Sequence, residues 1–197
     1  MGDIKSAREI AMEKVERLGE ASEEERLRWK YAPEGEKLAA KYLKEECNLV
    51  AELGKYEAQS AKYVAEGASE ILIRNIYLPG DDIARGNNKR AMDGLKLLKQ
   101  DKVGVENVYS GLRRVFDHYI GQGEQQRKQT YESFKAEFGA KVQQAMQQQF
   151  GGTPLGFKIN VERQPQFQEE WRRVLAKLDS QYYKLLDEYK RELSSLK

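Results

Sequence analysis

Proline is scarce in this chain. There are four in 197 residues, at Pro33, Pro79, Pro154 and Pro165. Proline lacks the backbone donor and clashes with the preceding turn, so these four positions are where helices are expected to stop. The runs between them are rich in Ala, Leu, Glu, Lys, Gln and Arg, the strong helix formers. Cysteine is scarcer still: Cys47 stands alone, which excludes an internal disulfide framework and fits a reducing compartment. No apolar run approaches the roughly 20 residues of a membrane span, and no secretory leader pattern opens the sequence. A cytoplasmic protein with no membrane span is therefore expected.

Net charge is small as well, at +2, so no global field draws the chain to nucleic acid or anionic lipid. Residues 1–80 hold 13 Lys/Arg against 16 Asp/Glu, and residues 81–197 hold 21 against 16. With one histidine, His118, a site needing two imidazoles has no second ligand in one subunit. The Glu-x-x-His element of di-iron bundles fails because Val115 stands three residues before His118. Cys47 follows Glu45 and Glu46, the wrong surroundings for a lowered thiol pKa, and reads as a small apolar filler. The glycines near Gly151 and Lys158 do not make a P-loop, and neither a Gly-x-Ser-x-Gly elbow nor a kinase motif set occurs. No catalytic, metal or cofactor residues are assigned, and a non-enzymatic role without a cofactor is expected.

What is present is helical pattern. Helices are expected over 3–32, with a fresh start at Ser22 where Glu25 completes a capping box. A long helix is expected over 34–77, where Leu43, Cys47, Val50, Gly54, Glu57, Ala61, Val64, Ala68 and Ile71 alternate spacings of four and three. Leu78-Pro79-Gly80-Asp81-Asp82 is the clearest turn, and helices follow over 82–150. Residues 120–130 are nearly free of apolar side chains; either the helix breaks there or it continues as a solvated projection. One irregular loop is expected near 151–164. A final helix, 165–196, opens on Pro165 and repeats Trp171, Leu175, Leu178, Tyr182, Leu185 and Tyr189 at four and three. The fold class is all-α: one domain over 1–197, an elongated helical bundle with long coiled-coil-like helices.

Heptad seams longer than one compact bundle needs point to association. The expected function is a scaffold, assembly or adaptor protein working through protein partners, chiefly as a homo-oligomer, with the final helix (Trp171, Leu175, Leu178, Tyr182, Leu185, Tyr189) as interface. Glu57 and Asn88 fall on apolar seams as candidate buried polar residues; with the phase shifted by one residue they face water. The alternative is a nucleic-acid-associated protein using a basic strip around 85–96, with Arg85, Lys89, Arg90 and Lys96 on phosphates. Asp81, Asp82, Asp93 and Asp101 are interleaved with that strip, so a solvated charged face is the favoured reading of it.

Overall fold

The structure, a computed structural model, describes residue 12 and residues 21–150 and 160–196. Among the described residues the fold is all-α, with no strand. The helices are α1 (Glu23–Leu43), α2 (Leu49–Leu53), α3 (Ala58–Arg74), α4 (Asp82–Leu98), α5 (Lys102–Ile120), α6 (Gln122–Phe150) and α7 (Pro165–Ser195), with a 3-10 turn at Val161–Arg163. Most of the first expected helix, and 151–159 of the irregular loop, lie outside the described residues. The chain divides into two compact units. One comprises Met1–Tyr77, Arg85–Val105 and Leu193–Lys197; the other comprises Leu78–Ala84 and Glu106–Glu192.

In the first unit, α1 starts where the capping box places it. Ser22 Oγ accepts from the Glu25 amide and the Glu25 carboxylate accepts from the Ser22 amide at 2.9 Å, which holds the Glu25 carboxyl below its ordinary pKa. The helix then runs through Pro33, against the sequence expectation. Packing supplies the reason. Gly35 lies so close to α3 that a Cβ there would sit 1.9 Å from the Val64 carbonyl, and one at Gly67 would sit 2.1 Å from the Ala32 carbonyl. Backbone meets backbone on either side of Pro33, with Ala39, Val64 and Ala68 fully buried around the contact. That packing holds a turn whose proline alone disfavours a helix by about 3 kcal/mol.

The expected long helix 34–77 is instead the second half of α1, then α2, then α3. α1 stops by a Schellman arrangement: Glu46 N–H reaches the Lys41 carbonyl and Glu45 N–H reaches that of Tyr42, both at 3.0 Å. Glu45 takes the left-handed conformation this requires, φ 68°, a position glycine usually fills, so composition did not mark the stop. Arg90 of α4 fastens it, with Nε donating to the Tyr42 carbonyl at 2.6 Å and a guanidinium nitrogen on Glu45 at 2.5 Å. Asn48 then caps α2 through Oδ1, accepting from Val50 and Ala51. Gly94 of α4 gives room to the Tyr42 ring, 2.5 Å from where its Cβ would be.

The second unit is an antiparallel hairpin. α5 from Glu106 onward and α6 form one arm; α7 up to Glu192 returns along it. The register is read from contacts in order: Gly111 with Tyr189, Tyr119 with Tyr182, Arg127 with Asp179, Tyr131 with Trp171, and Phe138 with Phe167. Between α5 and α6 only Gly121 leaves the helix, and its N–H still bonds the Asp117 carbonyl at 3.0 Å. Of the two alternatives for 120–130, the helix breaks, at the single residue Gly121, and the stretch is no solvated projection, because Gly123 and Arg127 pack on α7.

Glycine substitutions separate the tight crossing from open surface. Gly35→Ala or Gly67→Ala forces backbone apart, and each is expected to lower stability by about 2 kcal/mol or more, read as a lower midpoint in thermal unfolding. Gly86→Ala, inside α4 with open space around the new methyl, is expected to stabilise by about 0.5–1 kcal/mol. Equal effects at the three sites would contradict the crossing.

Candidate functional site

The site is built on α7, whose inward face keeps Leu175, Tyr182 and Tyr189 of the expected seam but takes Asp179 and Leu186 in place of Leu178 and Leu185. Asp179, Leu186 and Leu193 are 6%, 3% and 0% exposed, whereas Leu185 is 42% exposed and Leu178 half-buried. The inward stripe therefore passes through Leu175, Asp179, Tyr182, Leu186 and Tyr189, still at four and three. Trp171 packs inside the unit, edge-on to Tyr131 with centroids 5.0 Å apart and 5.9 Å from Phe134. Of the expected interface residues, Leu178 and Leu185 are thus turned toward an open groove, and Trp171 belongs to the hairpin's own aromatic cluster.

Asp179 is the carboxylate at the centre of this face. Arg127 of α6 meets it at 3.2 Å, donates a second bond to the Tyr119 carbonyl at 2.9 Å, and lies 3.9 Å from the Tyr119 ring centroid. Tyr119 is edge-on to Tyr182 at 5.1 Å, and the Tyr182 hydroxyl is 2.8 Å from His118 Nδ1. Burial first, and then the Asp179 charge, raise the Tyr119 phenol above its ordinary pKa, so it stays protonated as a donor. Two glycines seat the tyrosines of α7. A Cβ at Gly111 would lie 2.6 Å from the Tyr189 ring, and one at Gly123 2.6 Å from the Tyr182 hydroxyl.

On one flank of α7 these seated tyrosines form part of a groove of about 510 Å³. Arg114, Val115 and His118 line it from α5, and Lys177, Leu178 and Leu185 from α7. A second groove of about 380 Å³ lies on the other flank, where Trp171 and Leu175 face Tyr131. Beyond that lining, Glu162, just ahead of α7, accepts from the Tyr131 hydroxyl at 2.6 Å and from Lys135 at 2.8 Å. The Lys135 bond and then the Tyr131 bond lower the Glu162 carboxyl below its ordinary value of 4.5. Among the described residues, no group of three His, Cys, Asp or Glu side chains is placed to hold a metal ion. No helix among them is long and apolar enough to cross a membrane.

The polar candidates of the sequence separate. Asn88 is 3% exposed, and its amide grips the Tyr77 backbone twice, Oδ1 accepting from N–H at 2.7 Å and Nδ2 donating to the carbonyl at 2.6 Å. Glu57 is exposed at the start of α3 and makes no capping bond, so the seam drawn through it is corrected: the helix begins only after it. Arg90 is occupied by Tyr42 and Glu45, which removes it from the proposed phosphate strip, while Arg85, Lys89 and Lys96 stay exposed. Sequence reasoning passed over Asp179, Glu162 and Gly111, and nothing in it paired Arg127 or Gly123 with α7. Leu175, Tyr182 and Tyr189 of the expected seam held the correct phase, and the seven-residue spacing of Asp179 and Leu186 is the signal for the two positions that did not.

Fold and groove define an all-α protein whose second unit is a helical hairpin with a seated aromatic and ionic centre. The chain belongs to a family of unknown function (DUF6657), whose model matches residues 50–195. No curated protein matches the chain, and no solved structure does.

Two substitution sets test the centre. Arg127→Met leaves the Asp179 carboxylate buried without its cation and is expected to cost about 3–5 kcal/mol in urea unfolding. Adding Asp179→Leu is expected to recover most of that loss, and a double variant as unstable as the single one would remove the pair from its central role. Glu162 gives a pH dependence. Its folded pKa is lowered, so its stabilising effect is present above the ordinary carboxylate range and is lost as pH falls through the folded value. Glu162→Gln should unfold more easily at neutral pH and flatten the acid limb of the stability profile relative to the parent.

Proposed function

We propose that this protein is a non-enzymatic assembly protein that associates with a second copy of itself through the groove side of α7. The observation that supports this reading is the apolar stripe of Leu178 and Leu185, turned outward beside Tyr182 and Tyr189. The hairpin buries its own inward seam through Asp179 and Leu186 and still leaves this second stripe open. Leucines seven residues apart on a straight helix present a surface that a like helix can mesh with. Tyrosines held in glycine seats add apolar area at the edge without loss of side-chain freedom on docking, which suits an interface.

The test is absolute mass by light scattering after size exclusion, at two protein concentrations. The parent is expected to run as a concentration-dependent oligomer, and Leu178→Glu with Leu185→Glu as a monomer of unchanged helicity. A parent that is monomeric at both concentrations, or a variant with the parent's mass, overturns the proposal.

A further inference from the structure

The walls of the same groove have a one-sided chemistry that self-association does not use. Arg114 and His118 stand one turn apart on α5, and Lys177 and Gln181 one turn apart on α7, all lining the groove with Gln126. No carboxylate belongs to the lining. This is a departure from the chain as a whole, in which 34 basic residues face 32 acidic ones. It also contrasts with five other cations of the unit. Arg113, Arg127, Lys128, Lys135 and Arg173 each hold a carboxylate, at 2.6–3.2 Å. Among the described residues, neither Arg114 nor Lys177 has a partner for its charged group.

Donors therefore converge from two walls on a space floored by Val115, Leu178 and Leu185. The volume, about 510 Å³, lies in the range of small-molecule sites, which are apolar with a few polar groups that fix orientation. The groove is also built in advance. Tyr189 and Tyr182 are wedged into the Gly111 and Gly123 gaps, and the Tyr182 hydroxyl is further fixed by His118. When Nδ1 accepts that hydroxyl proton, the imidazole carries its own proton on Nε2, one more donor on the α5 side.

We infer that the groove is a binding site for a small organic anion: a carboxylate or phosphate monoester head held by Arg114 and Lys177, with an alkyl or aryl body against the leucines. An ammonium head of the same size finds no carboxylate there and faces the Arg114 and Lys177 charges. The inference does not rest on self-association, but both use the Leu178 and Leu185 surface, so a bound anion and a docked second copy exclude one another.

Isothermal titration with octanoate and with octyl phosphate tests it, with octylammonium and inorganic phosphate as controls. The two octyl anions are expected to bind at least about tenfold more tightly than octylammonium. The relative strength of octanoate and octyl phosphate tells which head the site takes. Arg114→Gln with Lys177→Gln should weaken the anions about tenfold or more. Amide shift changes in the parent should cluster at 111–118 and 177–189, a reading that does not depend on a variant folding. Binding of octylammonium as tight as that of the anions, no binding of either octyl anion, or shifts elsewhere overturns the site. Inorganic phosphate binding as tightly as octyl phosphate overturns the role given to the apolar floor. Light scattering of the same samples reads association separately, so a monomer that binds the anions leaves this inference standing while removing the proposed dimer.

Discussion

Arg127 and Asp179 make the contact on which the register of the hairpin depends. A carboxylate 6% exposed in a seam of leucine and tyrosine is a heavy penalty unless a cation reaches it. The net worth of such a pair against an apolar substitute is small, because both charges lose their water. Its effect is on alternatives. Slide α7 by one heptad, roughly 10 Å at 1.5 Å per residue, and Arg127 faces Arg172 in one direction or Leu186 in the other. One slip opposes two guanidinium groups, and the other leaves both charges buried alone. The pair thus favours the register that brings Tyr182 to Gly123 and Tyr189 to Gly111.

Glycine acts in two ways in this chain. At Gly35 and Gly67 the missing Cβ lets backbone lie on backbone, and the close contact carries α1 across Pro33. At Gly111 and Gly123 the missing Cβ makes room for a ring and a hydroxyl, so tyrosines on α7 are fixed from the opposite arm. The first use is a matter of packing density, whereas the second sets the shape of a groove wall.

Much of the helical pattern was legible. The all-α class, the capping box at Ser22, the turn at Pro79 and the last helix from Pro165 are all where the residues place them. Legibility failed where tertiary contacts decide. Pro33 reads as a stop because propensity is local, whereas the packing that overrides it comes from α3. The end of α1 was hidden because a glutamate, not a glycine, adopts the left-handed cap, fastened by an arginine 45 residues away. Hydropathy alone prefers Leu178 and Leu185 to Asp179 for the inward stripe of α7. Only a partner on another helix makes Asp179 the inward residue, and nothing local in 120–130 says that Arg127 supplies it.

That one-residue difference links the stability of the hairpin to its surface. Successive residues on a helix are 100° apart, so turning Asp179 and Leu186 inward necessarily carries Leu178 and Leu185 away from the core. A sequence selected for the hairpin alone would be better served by a polar pair at 178 and 185 and an apolar residue at 179. This chain has the reverse at each of the three positions. The buried pair fixes α7 in one register, and the displaced leucines then lie beside Arg114 and Lys177 as a groove with an apolar floor and donor-bearing walls. A surface held in this way by a register-setting ion pair has the preorganisation that docking of a ligand or a second helix needs, because little ordering remains to be done on binding.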